Sequence, residues 1–222
     1  MRKLVVLTFL SLDGVMQAPG GPEEDPTGGF RHGGWVAPYF DEFLGKAMAE
    51  QTAGDFELLL GRKTYDIFAA HWPFADETTD PFAGQLNRTT KYVASRKARK
   101  LDWNNSFLLT GDVAEEVKNL KARDGPEIQV HGSGNLIQTL LKHDLVDELR
   151  LKIFPITLGK GKRLFADGTI PAGFTLRESA MSPQGVIVAT YARAGDVKTG
   201  SFEFQNPTQA ELARRARLRK EG

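Results

Sequence analysis

The sequence predicts a single α/β domain built on a mixed, mostly parallel sheet of about eight strands. Short apolar and β-branched runs alternate with helical patterns through residue 150, and this order implies parallel strands with helices on both faces of the sheet. The last two strand candidates are separated by the turn sequence SPQG at residues 182–185, so they should form an antiparallel hairpin. A chain of 222 residues can bury a large core as one domain.

The strand candidates are residues 3–10, 56–60, 91–94, 107–109, 128–131, 148–154, 174–181 and 186–192. Helical patterns lie at about residues 38–52, 63–70, 113–121 and 136–142. The first apolar run is too short for most signal peptides and lacks a small-residue cleavage site, so we interpret it as a buried strand. Together these segments predict a domain over residues 1–194 and a C-terminal extension over residues 195–222, helical from about Thr208.

Composition and charge exclude several classes of function. The net charge is +1, which gives no global field for nucleic acid or an anionic membrane, and no apolar stretch approaches the ~20 residues of a spanning helix. The absence of cysteine excludes disulfides and fits a reducing compartment, so a cytoplasmic location is expected. No metal site is expected, because the four histidines show no metal-binding spacing; they are His32, His71, His131 and His143.

The C-terminal extension and one long loop depart from the regular pattern. Residues 210–222 carry five basic and two acidic side chains, but no aromatic residue lies among the arginines. This favours a solvated or subunit-packing helix over a nucleic-acid-binding tail. Residues 16–35 contain six glycines and three prolines, which is typical either of a lid or binding loop or of a tolerated surface insertion.

The first candidate ligand-binding corner is LLGRKTY at residues 59–65, where a buried strand meets a helix at Gly61. The first amides of a helix are unpaired and carry partial positive charge, so this junction suits a phosphate group. Arg62 and Lys63 add positive charge and Thr64 adds a hydroxyl. A plain helix start with a surface arginine remains the alternative interpretation.

A second corner, VHGSGNL at residues 130–136, brings a strand into a turn of small residues and then into a helix. Such a turn suits a pyrophosphate, and a plain strand-to-helix turn is the alternative interpretation. It is not the Rossmann fingerprint, because Ile137 stands where the third glycine belongs. The third corner is YVASRK at residues 92–97, where Ser95 and Arg96 could hold the 2′-phosphate that distinguishes NADP from NAD. A solvated turn with ordinary surface charges is the alternative. Ligands of open α/β sheets collect at the carboxyl ends of strands, so three corners on one sheet indicate more than any one of them.

Candidates for the substrate end are acidic and aromatic. Asp13 follows the first strand and could bind an amino or ring N–H group or relay a proton, or it could make an ordinary Asp-Gly turn. Asp41 and Glu42 on the first helix offer a second carboxylate, with solvated helix-start charges as the alternative. Trp35 and Phe40 could wall the pocket or belong to the core.

These motifs resemble the dihydrofolate reductase-like family that includes the C-terminal reductase domain of the riboflavin-biosynthesis deaminase–reductase. The resemblance covers roughly residues 2–192 and rests on SLDG, LLGRKTYD, YVASR, HGSGNL and LVDELRLKIFPITLGKG in that order. It implies the three-layer fold of that family and NADPH bound across the sheet. Residues 61–64 would then lie at one phosphate end of the cofactor, and Ser95 and Arg96 would lie near its 2′-phosphate. His131 would line the cofactor groove. The turn beneath the pyrophosphate would consist of Gly132, Ser133, Gly134, Asn135 and Leu136.

The resemblance also implies a function. It predicts hydride transfer from NADPH to a small heterocyclic or ribosylaminopyrimidine-type substrate, by a homodimer with no nucleic-acid or membrane partner. No zinc-ligand deaminase signature precedes the reductase region, and the long loop is typical of stand-alone members. A dihydrofolate or pterin reductase and a non-catalytic NADP-binding module remain the alternatives.

Overall fold

The computed structural model describes residues 1–167 and 169–221, which form one mixed sheet of eight strands. The strands are β1 (Leu4–Ser11), β2 (Phe56–Gly61), β3 (Lys91–Ala94), β4 (Ser106–Leu109), β5 (Glu127–Val130), β6 (Glu148–Phe154), β7 (Phe174–Met181) and β8 (Ile187–Arg193). Their order in the sheet is β4-β3-β2-β5-β1-β6-β8-β7. All neighbours from β4 to β6 are parallel, and β8 is antiparallel to both β6 and β7. The predicted fold class is confirmed.

Helices cover both faces of this sheet, as predicted. They are α1 (Glu42–Gln51), α2 (Arg62–Ala69), α3 (Pro81–Arg88), α4 (Val113–Ala122) and α5 (Gly134–Lys142), and α6 (Gln209–Glu221) follows in the C-terminal extension. One core cluster joins α4 and α5 to one face of the central strands. Two further clusters join α1, α2 and α3 to the other face. None of the residues of α6 is buried.

Two helices differ from the sequence-based expectation. The first helix was predicted over residues 38–52 but begins at Glu42, because Asp41 is extended and its side chain accepts a hydrogen bond from the Leu44 amide at 2.9 Å. Helix α3 was not predicted at all, because its sequence contains a proline and a glycine within eight residues. It forms because Asp80 caps it and Leu86 is fully buried against the sheet.

The strand order brings the three predicted corners to one place. Since β3, β2 and β5 are parallel neighbours, their carboxyl ends lie at the same edge of the sheet. Gly61 at the end of β2 pairs with Ala94 at the end of β3, so Ser95 begins its turn beside the first corner. Val130, at the end of β5, leads directly into the second corner.

The turn between β7 and β8 has the predicted hairpin geometry. The Gly185 amide donates to the Ser182 carbonyl at 2.9 Å, and the Ser182 amide donates to the Val186 carbonyl at 2.9 Å. Gly185 has φ +82°, in the left-handed region that side chains disfavour. A Cβ there would have room, because its nearest neighbour would be Pro155 Cγ at 3.8 Å.

We therefore expect Gly185→Ala to lower the free energy of unfolding by about 1 kcal/mol, through backbone strain alone. Urea unfolding followed by circular dichroism measures this change. The matched control is Gly54→Ala, where a Cβ meets nothing within 4 Å and φ lies outside the left-handed region. The control should be neutral or stabilising by a few tenths of a kcal/mol. Equal effects of the two substitutions would contradict the turn geometry.

Candidate active site

The first corner is a helix start without a side-chain cap. Strand β2 ends at Gly61 and α2 begins at Arg62, and Gly61, in the N-cap position, has no side chain to accept from the first helical amides. The Arg62 guanidinium is exposed and pairs with Asp66 one turn later at 2.9 Å. The free amides and the exposed guanidinium both point to an anionic ligand.

The second corner has the same character. Helix α5 begins at Gly134, and Ser133 in the N-cap position makes no side-chain hydrogen bond to the helix. Its first turn contains no acidic side chain. The turn is built from small residues, so an anion could approach the amides without meeting a bulky side chain.

These two corners touch each other. The Gly61 amide donates to the Gly132 carbonyl at 3.0 Å. A Cβ placed on Gly61 would lie 1.9 Å from Ser133 Oγ, and one placed on Gly132 would lie 2.5 Å from Thr64 Oγ1. Glycine is therefore required at both positions for the approach. The result is a cradle, formed by Gly61 and residues 132–134, in which two uncapped helix starts lie side by side.

The third corner lies beside the cradle and is open to solvent. Ser95 Oγ accepts from the Lys97 amide at 3.3 Å and donates to the Lys97 carbonyl at 2.9 Å, which closes a short turn. Arg96 follows with an exposed side chain. The structure therefore brings together the predicted residues 61–64, 95–96 and 131–136 along one edge of the sheet.

Asp13 holds a loop of its own chain. Its two carboxylate oxygens accept from the amides of Leu158 and Gly159 at 3.0 and 2.8 Å, and Ser11 Oγ donates to Oδ1 at 2.6 Å. The Ser11 hydroxyl and the two amides lower the pKa of Asp13 to about 2 despite some burial. A carboxylate with this pKa is a poor proton donor near neutral pH, so the geometry favours a positioning role over the predicted proton relay.

The other predicted pocket residues divide between core and surface. Trp35 is buried, donates from Nε1 to the Gln17 carbonyl at 2.8 Å and packs edge-on against Phe154. Phe40 is 52% exposed, so its ring lines the surface rather than a closed pocket wall. Asp41 caps α1 through Oδ1, whereas its buried Oδ2 has no hydrogen-bond partner in the part of the chain that the structure describes. A buried acceptor of this kind suits an N–H group of a ligand.

The long loop of residues 16–35 is anchored next to the start of α2. Gln17 Nε2 donates to the carbonyls of Asp25 and Thr27, and Thr27 Oγ1 accepts from Lys63 Nζ at 3.3 Å and from Lys162 Nζ at 3.0 Å. Lys162 also pairs with Asp25. The neighbouring Lys162, together with burial, lowers the pKa of Lys63. The roles of Gln17 and Lys162 were not predicted, because Lys162 lies more than a hundred residues from the loop that it contacts.

A polar network that was not predicted lies on the sheet beneath α1, and it includes His131, which was expected along the cofactor groove. His131 Nε2 lies 3.2 Å from Gln129 Oε1, and Gln129 Nε2 donates to the Gln51 carbonyl at 3.2 Å. Lys152 Nζ donates to Gln51 Oε1. Burial and the Lys152 ammonium lower the pKa of His131 to about 3. His131, which precedes Gly132 in the cradle, is therefore a neutral imidazole at physiological pH.

Residues 1–167 and 169–221 contain no group of three or more His, Asp or Glu side chains placed to hold a metal ion. Within the same ranges, no helix has the length and apolar character needed to cross a membrane.

The low pKa of His131 predicts a pH dependence of stability. The folded-state pKa lies below the unfolded value of 6.5, so the unfolded chain takes up a proton that the native protein does not as pH falls from 6.5 toward about 3. We expect stability to fall over this window in the wild type and to fall less in His131→Asn, which cannot be protonated. Urea unfolding at roughly pH 7 and pH 5 measures the difference. Exposed His143→Asn is the control, and an unchanged slope in the His131 variant would contradict a partly buried, neutral imidazole.

Comparison with known proteins agrees with this architecture. The chain is 28% identical over 196 residues to the uncharacterized protein YyaP of Bacillus subtilis (strain 168), covering 86% of this chain and 94% of that protein. A candidate riboflavin biosynthesis protein of Shewanella sp. PV-4 is 24% identical, with a TM-score of 0.60 over 86% of this chain and 99% of that one. Dihydrofolate reductase of Enterococcus faecalis, solved with NADP(H) and the ligand RAB-propyl, shares the fold at 14% identity and a TM-score of 0.57, covering 86% and 96% of the two chains. The family model described as the RibD C-terminal domain matches residues 2–188, and the chain belongs to that family.

Proposed function

We propose that this protein is an NADPH-dependent reductase that transfers hydride to a C=N or C=O bond of a small heterocyclic substrate. Membership of the RibD C-terminal family supports a reductase of the riboflavin-biosynthesis type. The observation that carries the proposal is the cradle, in which two helix starts meet through the bond from the Gly61 amide to the Gly132 carbonyl. A pyrophosphate is an anion of the right kind to be held by two such helix starts at once.

The residues present fit the phosphates of a dinucleotide. A Cβ on either Gly61 or Gly132 would collide with the opposite corner, and neither helix uses a side-chain cap that would compete with a ligand. In the proposal, the turn over residues 132–136 holds the pyrophosphate, and Arg62, Lys63 and Thr64 hold the phosphate from the other side. Ser95 and Arg96 hold the 2′-phosphate, which gives preference for NADPH over NADH.

The bound dihydronicotinamide would supply the hydride, and the protein would supply orientation and exclusion of water. The loop of residues 16–35 is suited to exclude water, because Thr27 accepts from both Lys63 and Lys162 beside the cradle. Asp13 fixes the loop at residues 158–159 against the end of β1. The unpartnered Oδ2 of Asp41 would accept from an amino or ring N–H group of the substrate.

For the substrate we favour a ribosylaminopyrimidine phosphate, whose ribose would be reduced to a ribityl chain, by analogy with the reductase domain named by the family. Dihydrofolate or a related pterin is the second candidate, because the fold is shared with a dihydrofolate reductase solved with NADP(H). NADPH consumption followed with each substrate separates the two. Tight NADPH binding with no consumption would favour a non-catalytic module.

We further propose that the protein acts in the cytoplasm as a homodimer without nucleic-acid or membrane partners. The late strands support a dimer, because β7 is an edge strand whose residues are mostly exposed, including Leu176 and Met181. Analytical ultracentrifugation tests the oligomeric state.

We expect Arg62→Ala to weaken NADPH binding by about 2 kcal/mol, roughly thirtyfold in Kd, because it removes a charge-assisted contact to phosphate. Fluorescence titration of NADPH measures the change. The control is Arg88→Ala. Arg88 is an exposed arginine at the end of α3, and its guanidinium lies 3.5 Å from the Glu77 carboxylate. The control should bind NADPH like the wild type. Equal affinity of the wild type and the Arg62 variant would mean that the first corner is a purely structural turn.

A further inference from the structure

Among the described residues, three lysines are almost fully buried, and their ammonium groups make different numbers of hydrogen bonds. Lys91 is 0% exposed, and its Nζ donates to the carbonyls of Leu86, Asn87 and Thr89 at 2.6, 3.3 and 2.6 Å. An ammonium group has three protons to donate, so Lys91 is fully paired.

The other two buried lysines are Lys121 and Lys152. Lys121, 6% exposed, binds the Leu145 carbonyl at 2.7 Å and the Asp147 carboxylate. Lys152, 4% exposed, donates only to the neutral Gln51 Oε1 among the described residues. It therefore keeps a buried charge and free donors without an acidic partner, which is costly unless a ligand uses them.

The neighbouring carboxylates are already used by other cations. Glu127 accepts two hydrogen bonds from Arg150, both at 2.8 Å. Glu148 accepts from Arg150 Nε at 2.7 Å and from Lys3 at 3.2 Å. Neither carboxylate forms an ion pair with Lys152 in the described part of the chain. The Lys152 ammonium group can therefore bind an acceptor that does not belong to this network, such as an atom of a ligand.

Among the described residues, the side chains of the other elements that join the Lys152 network are uncharged, although Gln129 also donates to the Glu127 carboxylate at 2.7 Å. Helix α1 provides Gln51, β5 provides Gln129, and the residue that follows β5 is the neutral His131. Strand β1 provides the ring of Phe9, whose centroid lies 5.8 Å from Nζ. Arg150, which lies on the same strand as Lys152, adds a further positive charge next to Nζ.

Lys152 also lies toward the cradle end of the sheet. It pairs across to Phe9 in β1, whereas Arg150 pairs with Leu7, so Lys152 is the nearer of the two to the carboxyl ends of these parallel strands. Its side chain shares the α1 face with His131, which directly precedes Gly132 in the cradle. If the nicotinamide binds at the cradle edge of the sheet, a substrate stacked on it would turn its other side toward Lys152 and the α1 face of the sheet.

We propose that the Lys152 ammonium binds the nitrogen or oxygen of the reducible C=N or C=O bond and donates the proton of the reduction. This proposal rests on the proposed function. The hydride adds to the carbon, the π electrons move to the nitrogen or oxygen, and that atom takes a proton from Nζ. The cofactor leaves as NADP⁺, and the neutral amine regains its proton from water.

The acid–base properties of the site support this role. Burial, together with the positive charge of Arg150, lowers the pKa of Lys152 to about 7. A general acid works best when its pKa lies near the operating pH, because it is then protonated and also able to release the proton. His131 stays neutral nearby and adds no competing charge.

The test combines a titration with a variant of similar shape. NMR of protein labelled at lysine Cε follows each ammonium group as pH is raised, and Lys152→Met assigns the signal of interest by its loss. We expect this signal to titrate near pH 7 in the wild type, well below the ordinary lysine value of 10.5. A signal that titrates near the ordinary value overturns the proposal, whatever the enzyme assays show.

The second readout is kinetic, with the ribosylaminopyrimidine phosphate and dihydrofolate as probes. We expect Lys152→Met to lower kcat by at least about a hundredfold, while the Kd for NADPH stays within about twofold. Wild-type kcat/KM should decline as pH rises above about 7, and this decline should vanish in the variant. Lys46→Met, which changes an exposed lysine on α1, is the control and should behave like the wild type.

The two proposals fail in different ways. Absence of NADPH binding by the wild type would contradict the reductase function. NADPH binding with turnover that Lys152→Met leaves unchanged would contradict only the role of Lys152. A kcat loss that Lys152→Arg leaves in place, although arginine keeps the positive charge, would support proton donation, because a guanidinium group does not release its proton near neutral pH. Full restoration of kcat by Lys152→Arg would mean that only the positive charge is needed, and it would contradict proton donation.

Discussion

The hydrogen bond from the Gly61 amide to the Gly132 carbonyl joins the ends of two neighbouring strands, and the organisation of the site depends on it. It forms only because neither position carries a Cβ, which would otherwise collide with Ser133 or Thr64 across the gap. With the strands held this close, α2 and α5 begin side by side and leave their first amides to a shared ligand. The rest of the fold positions this arrangement, because the carboxyl ends of six parallel strands lie at one edge of the sheet.

Much of the fold follows from local sequence signals. All eight strands were predicted to within one or two residues of their ends, because buried parallel strands are continuous apolar runs bounded by turns. The hairpin was predicted because residues 182–185 form the turn sequence SPQG, and in the structure Gly185 adopts the left-handed conformation with φ +82°. Helix α3 was missed, since its stability comes from burial of Leu86 and capping by Asp80 against a weak intrinsic propensity. The order of the strands in the sheet could not be predicted in the same way, because it depends on pairings between residues that are far apart in sequence.

The candidate site also has a part that local sequence signals predict and a part that depends on contacts distant in sequence. The two corners of the cradle could be singled out from the sequence, because small residues at a strand-to-helix junction leave the first helical amides open to an anion. An ordinary strand-to-helix turn gives the same local pattern, and only the contact between Gly61 and Gly132 joins the corners into one cradle. The network of Gln51, Gln129 and Lys152 could not, because polar residues alternating in β6 are also typical of a solvent-facing strand. Only the packing of α1 over that face turns them into buried groups. Asp13 illustrates the reverse case, since its position suggested chemistry and its contacts are those of a loop anchor.

The central claim is that both corners bind one dinucleotide, and a backbone amide NMR titration with NADPH tests it most directly. The account predicts that the amides of residues 61–64 and 133–136 shift together with a single dissociation constant, along with those of residues 95–96. Amides of α6, which buries no residues, should not respond. A response confined to one corner, or two corners that saturate at different NADPH concentrations, would contradict a shared site.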